Sequence, residues 1–478
     1  METVMNNLSN NVKKVMLVFL LLFVALITYI NYTVLFRSEA AIESVFNKRN
    51  AAESSKVLRG SIFDRDNNLI VKGEKTGEFT QARDYVGGVP FAHVIGYYDE
   101  VYGMSGIEKK FDKELSGKAV NGIKDIFGFL NFSKDESKGG DNLVTTLNST
   151  LQKKAYELLG NKRGSVVALD PKTGEVLAMV SKPGFNPNTL KEDWEKLSKD
   201  VNTPFLNRAV SGLYPPGSTF KAVTAISALE NIDGIANKTF KDEGKIQFNK
   251  TQYLENYKGK AMGNIGLEEA FYRSSNVVFG SLAMDLGNDS LRATAEKFLF
   301  NKDIPSRTLT IDNSKFPTYK KEEVGNIAQS GIGQSGVLAS PIEMALVAST
   351  IANNGVMMEP NIIKQVVDIN GEVVKTYEPK EIGTITSTEN ATLLRKYMRS
   401  VVTKGTGKDS EVYGVQVSGK TGTADQDTGK KIPHSWYIGF APYENPQVAF
   451  AIIVEEGGND SYNATDLAGD LMKIYFGK

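Results

Sequence analysis

Three short stretches carry residue types suited to nucleophilic catalysis. In LYPPGSTFKAVTA, from Leu213 to Ala225, Ser218 follows Pro215-Pro216-Gly217 and precedes Lys221 by three residues. The two prolines cannot continue a strand ladder, and Gly217 permits close backbone approach. From Ser218 to Glu230 apolar residues recur at helical spacing, so the pattern predicts a helix opening at Ser218. One turn along, on the same face, the Lys221 amine is then within reach of the Ser218 hydroxyl. The plainer alternative is a helix N-cap serine with a solvated lysine behind it.

The second stretch is Ser274-Ser275-Asn276, between a helical run from Leu267 to Arg273 and another apolar run. A hydroxyl here could relay a proton, and an amide could accept from a lysine ammonium while donating to a substrate carbonyl. Ser-x-Asn also occurs at Ser9 and Ser461, so the pattern alone is equally a loop between helices. The third stretch is Lys420-Thr421-Gly422-Thr423. Lys-Thr-Gly recurs at Lys75 and Lys172, but only the Lys420 copy lies in a strand pattern and continues with Thr. On a strand, Lys420 and Gly422 project to one face and Thr421 and Thr423 to the other. Gly422 would let a peptide-like substrate lie against the strand edge, and Lys420 would supply fixed positive charge for a carboxylate.

The elements that must hold these residues follow from the rest of the chain. With 478 residues there is room for more than one domain, and 41% hydrophobic with 23% charged residues is ordinary for globular protein. Lys plus Arg and Asp plus Glu balance at 56 each, so no basic excess points to nucleic acid. There is no cysteine and there are two histidines, which removes disulfides, thiolate nucleophiles and most Cys/His metal sites. Val15 to Phe36 is a run of 22 uncharged residues, long enough to cross a bilayer, with Lys13 and Lys14 before it. By the positive-inside tendency, residues 1–14 form a cytoplasmic leader, 15–36 a transmembrane anchor, and the remainder is exported. Ser38-Glu39-Ala40 resembles a signal-peptide cleavage site, but the apolar run is longer than a usual signal core.

After a polar stalk or helix from Ser38 to Ser54, RGSIFDRDNNLIV (59–71) reads as strand, turn and strand and begins a small domain over 37–139. The charged, Gly-rich run from Phe132 to Asn142 reads as a linker, so a second domain is expected over 140–478. There Thr145 to Leu159 has helical spacing, and GSVVALDPKTGEVLAMVS (164–181) reads as a hairpin. VYGVQVSGKTGTA (412–424), SWYIGFAP (435–442) and VAFAIIVEE (448–456) read as strands, and Ala464 to Phe476 as a closing helix. With a mostly helical middle, this arrangement predicts an α+β domain whose N- and C-terminal strands share one antiparallel sheet.

YPPGSTFK, SSN and KTGT, in that order, resemble the three active-site motifs of the penicillin-binding proteins, serine D,D-transpeptidases that crosslink peptidoglycan. Ser218-x-x-Lys221 is also the only Ser-x-x-Lys in the chain. RGSIFDR and SGIEKKFDKELSG are similar to that family's N-terminal pedestal. LDPKTGEVLAMVS, NRAV, GIGQSGVLASPIEMA (331–345) and WYIGFAP resemble its catalytic domain. About 100 residues separate the anchor from the second domain, too few for an additional glycosyltransferase domain, so the chain resembles a monofunctional class B member acting in division or elongation.

The resemblance implies Ser218 as nucleophile and Lys221 as general base, with its pKa depressed by burial and the Lys420 cation. It implies Ser274 as proton relay, Asn276 as orienter, and Lys420 with Thr421 or Thr423 as carboxylate site, Gly422 lying in the same strand. The backbone N–H groups of Ser218 and Thr423 would hold the oxyanion. Expected ligands are stem peptides, lipid-linked precursor and β-lactams; a polytopic membrane glycosyltransferase is the expected partner, and no metal or organic cofactor is implied. Rival readings are a Ser-His-Asp hydrolase using His434, a serine β-lactamase, and a β-lactam sensor. A sensor needs an output segment, and the fourteen leader residues are too few to fold alone.

Overall fold

The computed structural model describes residues 2–36, 57–77, 80–118, 139–425, 432–458 and 460–478. The expected stalk from Ser38 to Ser54 and most of the expected linker lie outside the described residues. By packing, the chain divides into one unit of Met1–Val57 with Lys75–Gln81, and a second of Leu58–Glu74 with Ala82–Lys478.

In the first unit a helix spans Glu2–Phe36. Its window Val12–Tyr29 has a mean hydropathy of 2.2, which makes this a candidate membrane span. The helix begins well ahead of the expected anchor at Val15, because nothing from Glu2 to Lys14 breaks it: the leader has neither Pro nor Gly. Around the Lys75 copy of Lys-Thr-Gly the N–H groups of Thr76 and Gly77 both donate to Thr80 O, at 3.0 and 3.2 Å, so there Thr and Gly are turn residues.

The second unit is built on two sheets. One has five antiparallel strands in the order Ser418–Ala424, His434–Ala441, Val448–Val454, Gly164–Leu169 and Val176–Lys182, as expected for shared N- and C-terminal strands. Alternate residues of these strands feed different cores. Val167, Met179, Ile438 and Ile453 join the core that contains the helices Lys221–Asn231 and Pro341–Ala352. Val166, Val180, Tyr437 and Ile452 join the core under the helices Ser149–Leu158 and Ala464–Phe476. Both faces are covered, which is why VAFAIIV is apolar throughout instead of alternating.

The other sheet runs in the order Val373–Thr376, Ile363–Val367, Asn142–Thr145, Ile62–Phe63, Leu69–Lys75 and Gln81–Asp84. Ile62–Phe63 pairs in parallel with Leu143–Val144, so strands from both sides of residue 140 lie in one sheet. Two expectations change here. The helix expected from Thr145 starts at Ser149, because the strand Asn142–Thr145 is held on both edges and Asn148 caps the helix by accepting from Leu151 N at 2.9 Å. Gly140, expected in a linker, is packed: its N–H donates to Leu58 O at 2.8 Å, and a Cβ there would stand 1.8 Å from Leu115 O. The middle is also less purely helical than its spacing suggests. Thr239–Asp242 pairs with Gly263–Gly266, and Lys245–Gln247 with Tyr253–Glu255.

Candidate active site

The three motifs, far apart in the chain, meet at one edge of the five-stranded sheet. Ser218 lies in the 3-10 turn Gly217–Phe220, and the α-helix proper begins at Lys221, one turn later than expected. The cause is the packing of that turn. Gly217 sits at φ +53° with its N–H on Gly333 O at 3.0 Å, and a Cβ on it would stand 2.5 Å from Thr423 O. Gly422 answers from the other side: its Cβ would meet Thr219 Cγ2 at 2.9 Å and Pro216 O at 3.1 Å. The two glycines thus let the turn carrying Ser218 lie against the KTGT strand, a different use of Gly422 from the expected contact with substrate.

Lys420 and Gly422 share the buried face of this edge strand, while Thr421 is half-buried and Thr423 exposed, as the alternation requires. Thr421 Oγ1 lies 2.6 Å from Thr406 Oγ1. Ser274 occupies the left-handed region at φ +60°, between the helices Leu267–Tyr272 and Asn276–Lys297. Ser275 caps the second helix by accepting from Val278 N at 2.9 Å.

Lys221 is fully buried, so the solvated-lysine alternative fails. Its Nζ bonds to Ser274 O at 2.8 Å, Asn276 Oδ1 at 2.7 Å and Ser274 Oγ at 3.2 Å. Lys420, equally buried, donates to Ser274 Oγ at 3.0 Å and to Thr421 O at 2.9 Å. The Ser274 hydroxyl therefore bridges the two amines. The expected approach of Lys221 to Ser218 is not made: among the described residues no hydrogen bond joins them, because the Lys221 head group is committed to the Ser274–Asn276 turn. Ser218 itself is partly exposed, at the open end of the cluster.

Burial drives the Lys221 amine well below the ordinary lysine range; the Lys420 cation drives it further, and Asp242 acts the other way. Burial also brings Lys420 down to about 7. Lys420 is thus a titratable cation, where the sequence alone suggests a fixed one. A neutral Lys221 keeps two N–H bonds, which suit Ser274 O and Asn276 Oδ1. Its lone pair then faces the Ser274 hydroxyl, the one partner of the three that can donate.

His434 does not join this cluster as a base. Its Nδ1 accepts from Glu456 N at 3.1 Å, whereas a triad needs Nδ1–H to donate to a carboxylate. Its ring packs edge-on to Tyr214 at 5.4 Å. Two residues without any motif are hydrogen-bonded to the Ser274–Asn276 segment. Asn256 Oδ1 accepts from Asn276 N at 2.8 Å and Val277 N at 3.1 Å, and Asp242 accepts from both Asn256 and Ser275. Asp-Glu-Gly at 242–244 reads only as a turn, so no local signal marked them.

A buried lysine next to a partly exposed serine turn, a bridging serine hydroxyl and a second lysine on an edge strand define a serine acyl-transfer site. The chain belongs to the penicillin-binding protein transpeptidase family: residues 164–473 match the penicillin binding protein transpeptidase domain, and residues 59–142 the penicillin binding protein A dimerisation domain. It is 32% identical over 478 residues to the peptidoglycan D,D-transpeptidase PbpA of Mycolicibacterium smegmatis, covering 96% of each chain. Its fold is similar to penicillin-binding protein A from M. tuberculosis in an imipenem acyl-enzyme complex, with a TM-score of 0.81 and 29% identity over 89% of this chain and 100% of that one. A D,D-transpeptidase domain from Eggerthella lenta is similar at a TM-score of 0.78 and 31% identity, covering 88% and 99%.

Proposed function

We propose that this protein is a peptidoglycan D,D-transpeptidase that crosslinks stem peptides through an acyl-enzyme on Ser218 and is inhibited by β-lactams. The observation that carries the reading is the Ser274 hydroxyl held between Lys221 and Lys420 beside the Ser218 turn. The Ser218 hydroxyl attacks the carbonyl of the penultimate D-alanine, and its proton passes to neutral Lys221, the general base, once that amine turns its lone pair from Ser274 to Ser218. The negative oxygen that forms is held by the N–H groups of Ser218 and Thr423, on the two backbones that Gly217 and Gly422 bring together. As the C–N bond breaks, Ser274 relays the proton from Lys221 to the departing D-alanine nitrogen. Asn276 orients Lys221 and the substrate amide. Lys420, Thr421 and Thr423 bind the terminal carboxylate, whose charge keeps Lys420 protonated. An amine of a neighbouring stem peptide then attacks the ester and frees Ser218.

The helix Glu2–Phe36 supports a single-pass membrane protein with the leader 1–14 in the cytoplasm, the anchor over 15–36 and the catalytic domain outside. We assign 37–139 to a pedestal and 140–478 to the transpeptidase domain, a division supported by the two family matches. Lipid-linked precursor is the source of donor peptide, and a polytopic membrane glycosyltransferase that makes the glycan strand is the fitting partner. Mass spectrometry of the full chain after benzylpenicillin treatment tests the assignment. A long-lived adduct on the peptide containing Ser218 is expected; an adduct on another residue, or rapid release of hydrolysed drug, contradicts it.

A further inference from the structure

Behind the Ser274–Asn276 turn lies a buried polar cluster that the proposed mechanism does not use. Asp242, 1% exposed, accepts four hydrogen bonds. Oδ1 takes Gly244 N at 2.8 Å and Asn256 Nδ2 at 2.8 Å; Oδ2 takes Asn256 Nδ2 at 2.9 Å and Ser275 Oγ at 2.6 Å. Because Ser275 Oγ already accepts from Val278 N, its own proton points to Asp242. Every neighbour therefore donates, an arrangement that only an ionised carboxylate satisfies in full. Asn256 also donates to Lys260 O at 2.9 Å, which fixes its amide so that Oδ1 receives Asn276 N and Val277 N. Asn276 in turn donates to Glu255 O at 2.8 Å, leaving its Oδ1 for Lys221. An unbroken series of bonds thus runs from Asp242 through Asn256 and Asn276 to the Lys221 amine.

We propose that Asp242 is a positioning residue of this site: its carboxylate braces the Ser274–Asn276 turn through Ser275 and Asn256 and places a negative charge behind Lys221. The need for a brace is plain at Ser274, which is held in the left-handed region without being glycine. The charge matters because the two site lysines repel each other, and Asp242 is the carboxylate that opposes this at Lys221. Other charged groups on the elements packed there are Lys241 and Glu243, paired with each other at 2.7 Å, and Glu269 and Arg273, paired at 2.9 Å. Glu268 pairs with Lys396 at 2.9 Å, Lys245 lies over the Tyr253 ring, and Glu255, Lys258 and Lys260 flank Asn256 in sequence.

The inference rests on the proposed role of Lys221 as base, and the test separates the two. The second-order constant for acylation by a fluorescent penicillin is measured across pH on the full chain for wild type, Asp242→Asn, Asn256→Ala and Lys221→Met. Asparagine is nearly isosteric and can keep Gly244 and Asn256 on its oxygen while its amide donates to Ser275. Removing the negative charge makes Lys221 lose its proton more readily, so the acid limb should move to lower pH by roughly half a unit or more, with a several-fold lower plateau. Asn256→Ala keeps the charge and cuts the bridge, so it should lower the plateau and leave the limb in place. A limb unmoved in Asp242→Asn, with Lys221→Met inactive, overturns this inference alone. Full acylation in Lys221→Met overturns the reading of Lys221 beneath it. If Asp242→Asn fails to fold, an unchanged plateau in Asn256→Ala overturns the brace.

Discussion

Replacing Gly217 by alanine tests how the nucleophile turn is seated against the KTGT strand. The added Cβ would stand 2.5 Å from Thr423 O, 3.0 Å from Thr423 C and 3.1 Å from Ala424 Cβ. Carbon–oxygen contacts settle at roughly 3.3 Å or more, so about 0.8 Å must open between the two backbones. That gap falls between Ser218 and Thr423, the two proposed oxyanion donors. A misplacement of about 1 Å costs on the order of a hundredfold in rate, which predicts a loss of roughly 30- to 100-fold in acylation. At φ +53° the alanine also costs about 1–2 kcal/mol in backbone energy, and the overpacking about 1–3 kcal/mol. The control is Gly234→Ala, at φ +68° with nothing within 4 Å of its Cβ, which should show only the backbone cost and acylate normally. Acylation by fluorescent penicillin, with thermal melts alongside, reads both effects. A folded Gly217→Ala protein that acylates within about twofold of wild type would mean that the seating of this turn against Thr423 does not set the acylation rate.

Lys221→Met should nearly abolish acylation at any drug concentration, whereas Lys420→Met should mainly raise the concentration of carboxylate-bearing drug required; equal, total loss in both contradicts this division. Because burial holds Lys420 near 7, it is charged below that pH and neutral above it, so acylation of the free enzyme by such drugs should weaken as pH rises past neutrality. A rate that climbs steadily to pH 9 opposes that assignment. Glu343 is fully buried in the helix Pro341–Ala352 with neither carboxyl oxygen hydrogen-bonded among the described residues, and burial raises its pKa well above 4.5. Its folded pKa exceeds the unfolded one, so the stability present below the unfolded pKa is lost as pH rises toward the folded one. Glu343→Gln should therefore raise the melting temperature more at pH 8 than at pH 5; an equal change at both values rules this out.

The motifs were legible because each element that carries them is locally consistent. The short apolar runs GSVVAL and VAFAIIV, turn residues from Asp170 to Gly174 and the apolar spacing after Ser218 all agree with the structure. What stayed hidden depends on contacts between distant segments. Asp242 and Asn256 sit in short hairpins whose sequence says only "turn", and their importance arises where Asn256 meets the first N–H groups of the helix at Asn276. The parallel pairing of Ile62–Phe63 with Leu143–Val144 leaves no periodic trace in strands this short. Gly422 was visible as a special position, but its reason, the closeness of Thr219 and Pro216, lies in a segment some two hundred residues earlier. Likewise the sequence pairs Lys221 with Ser218 by helical spacing, while the folded chain turns the amine toward Ser274 and Asn276.

In the proposed reaction Ser218 carries a stem peptide from donor to acceptor. The most direct measurement supplies the full-length protein in detergent or bilayers with uncrosslinked glycan strands polymerised from lipid-linked precursor, and resolves the products by mass spectrometry. Crosslinked dimers, with one D-alanine released per bond, should form with the wild type and disappear in Ser218→Ala. Crosslinking that persists in Ser218→Ala would rule out Ser218 as the carrier, and a wild-type protein that only trims the terminal D-alanine would be a carboxypeptidase and not a transpeptidase.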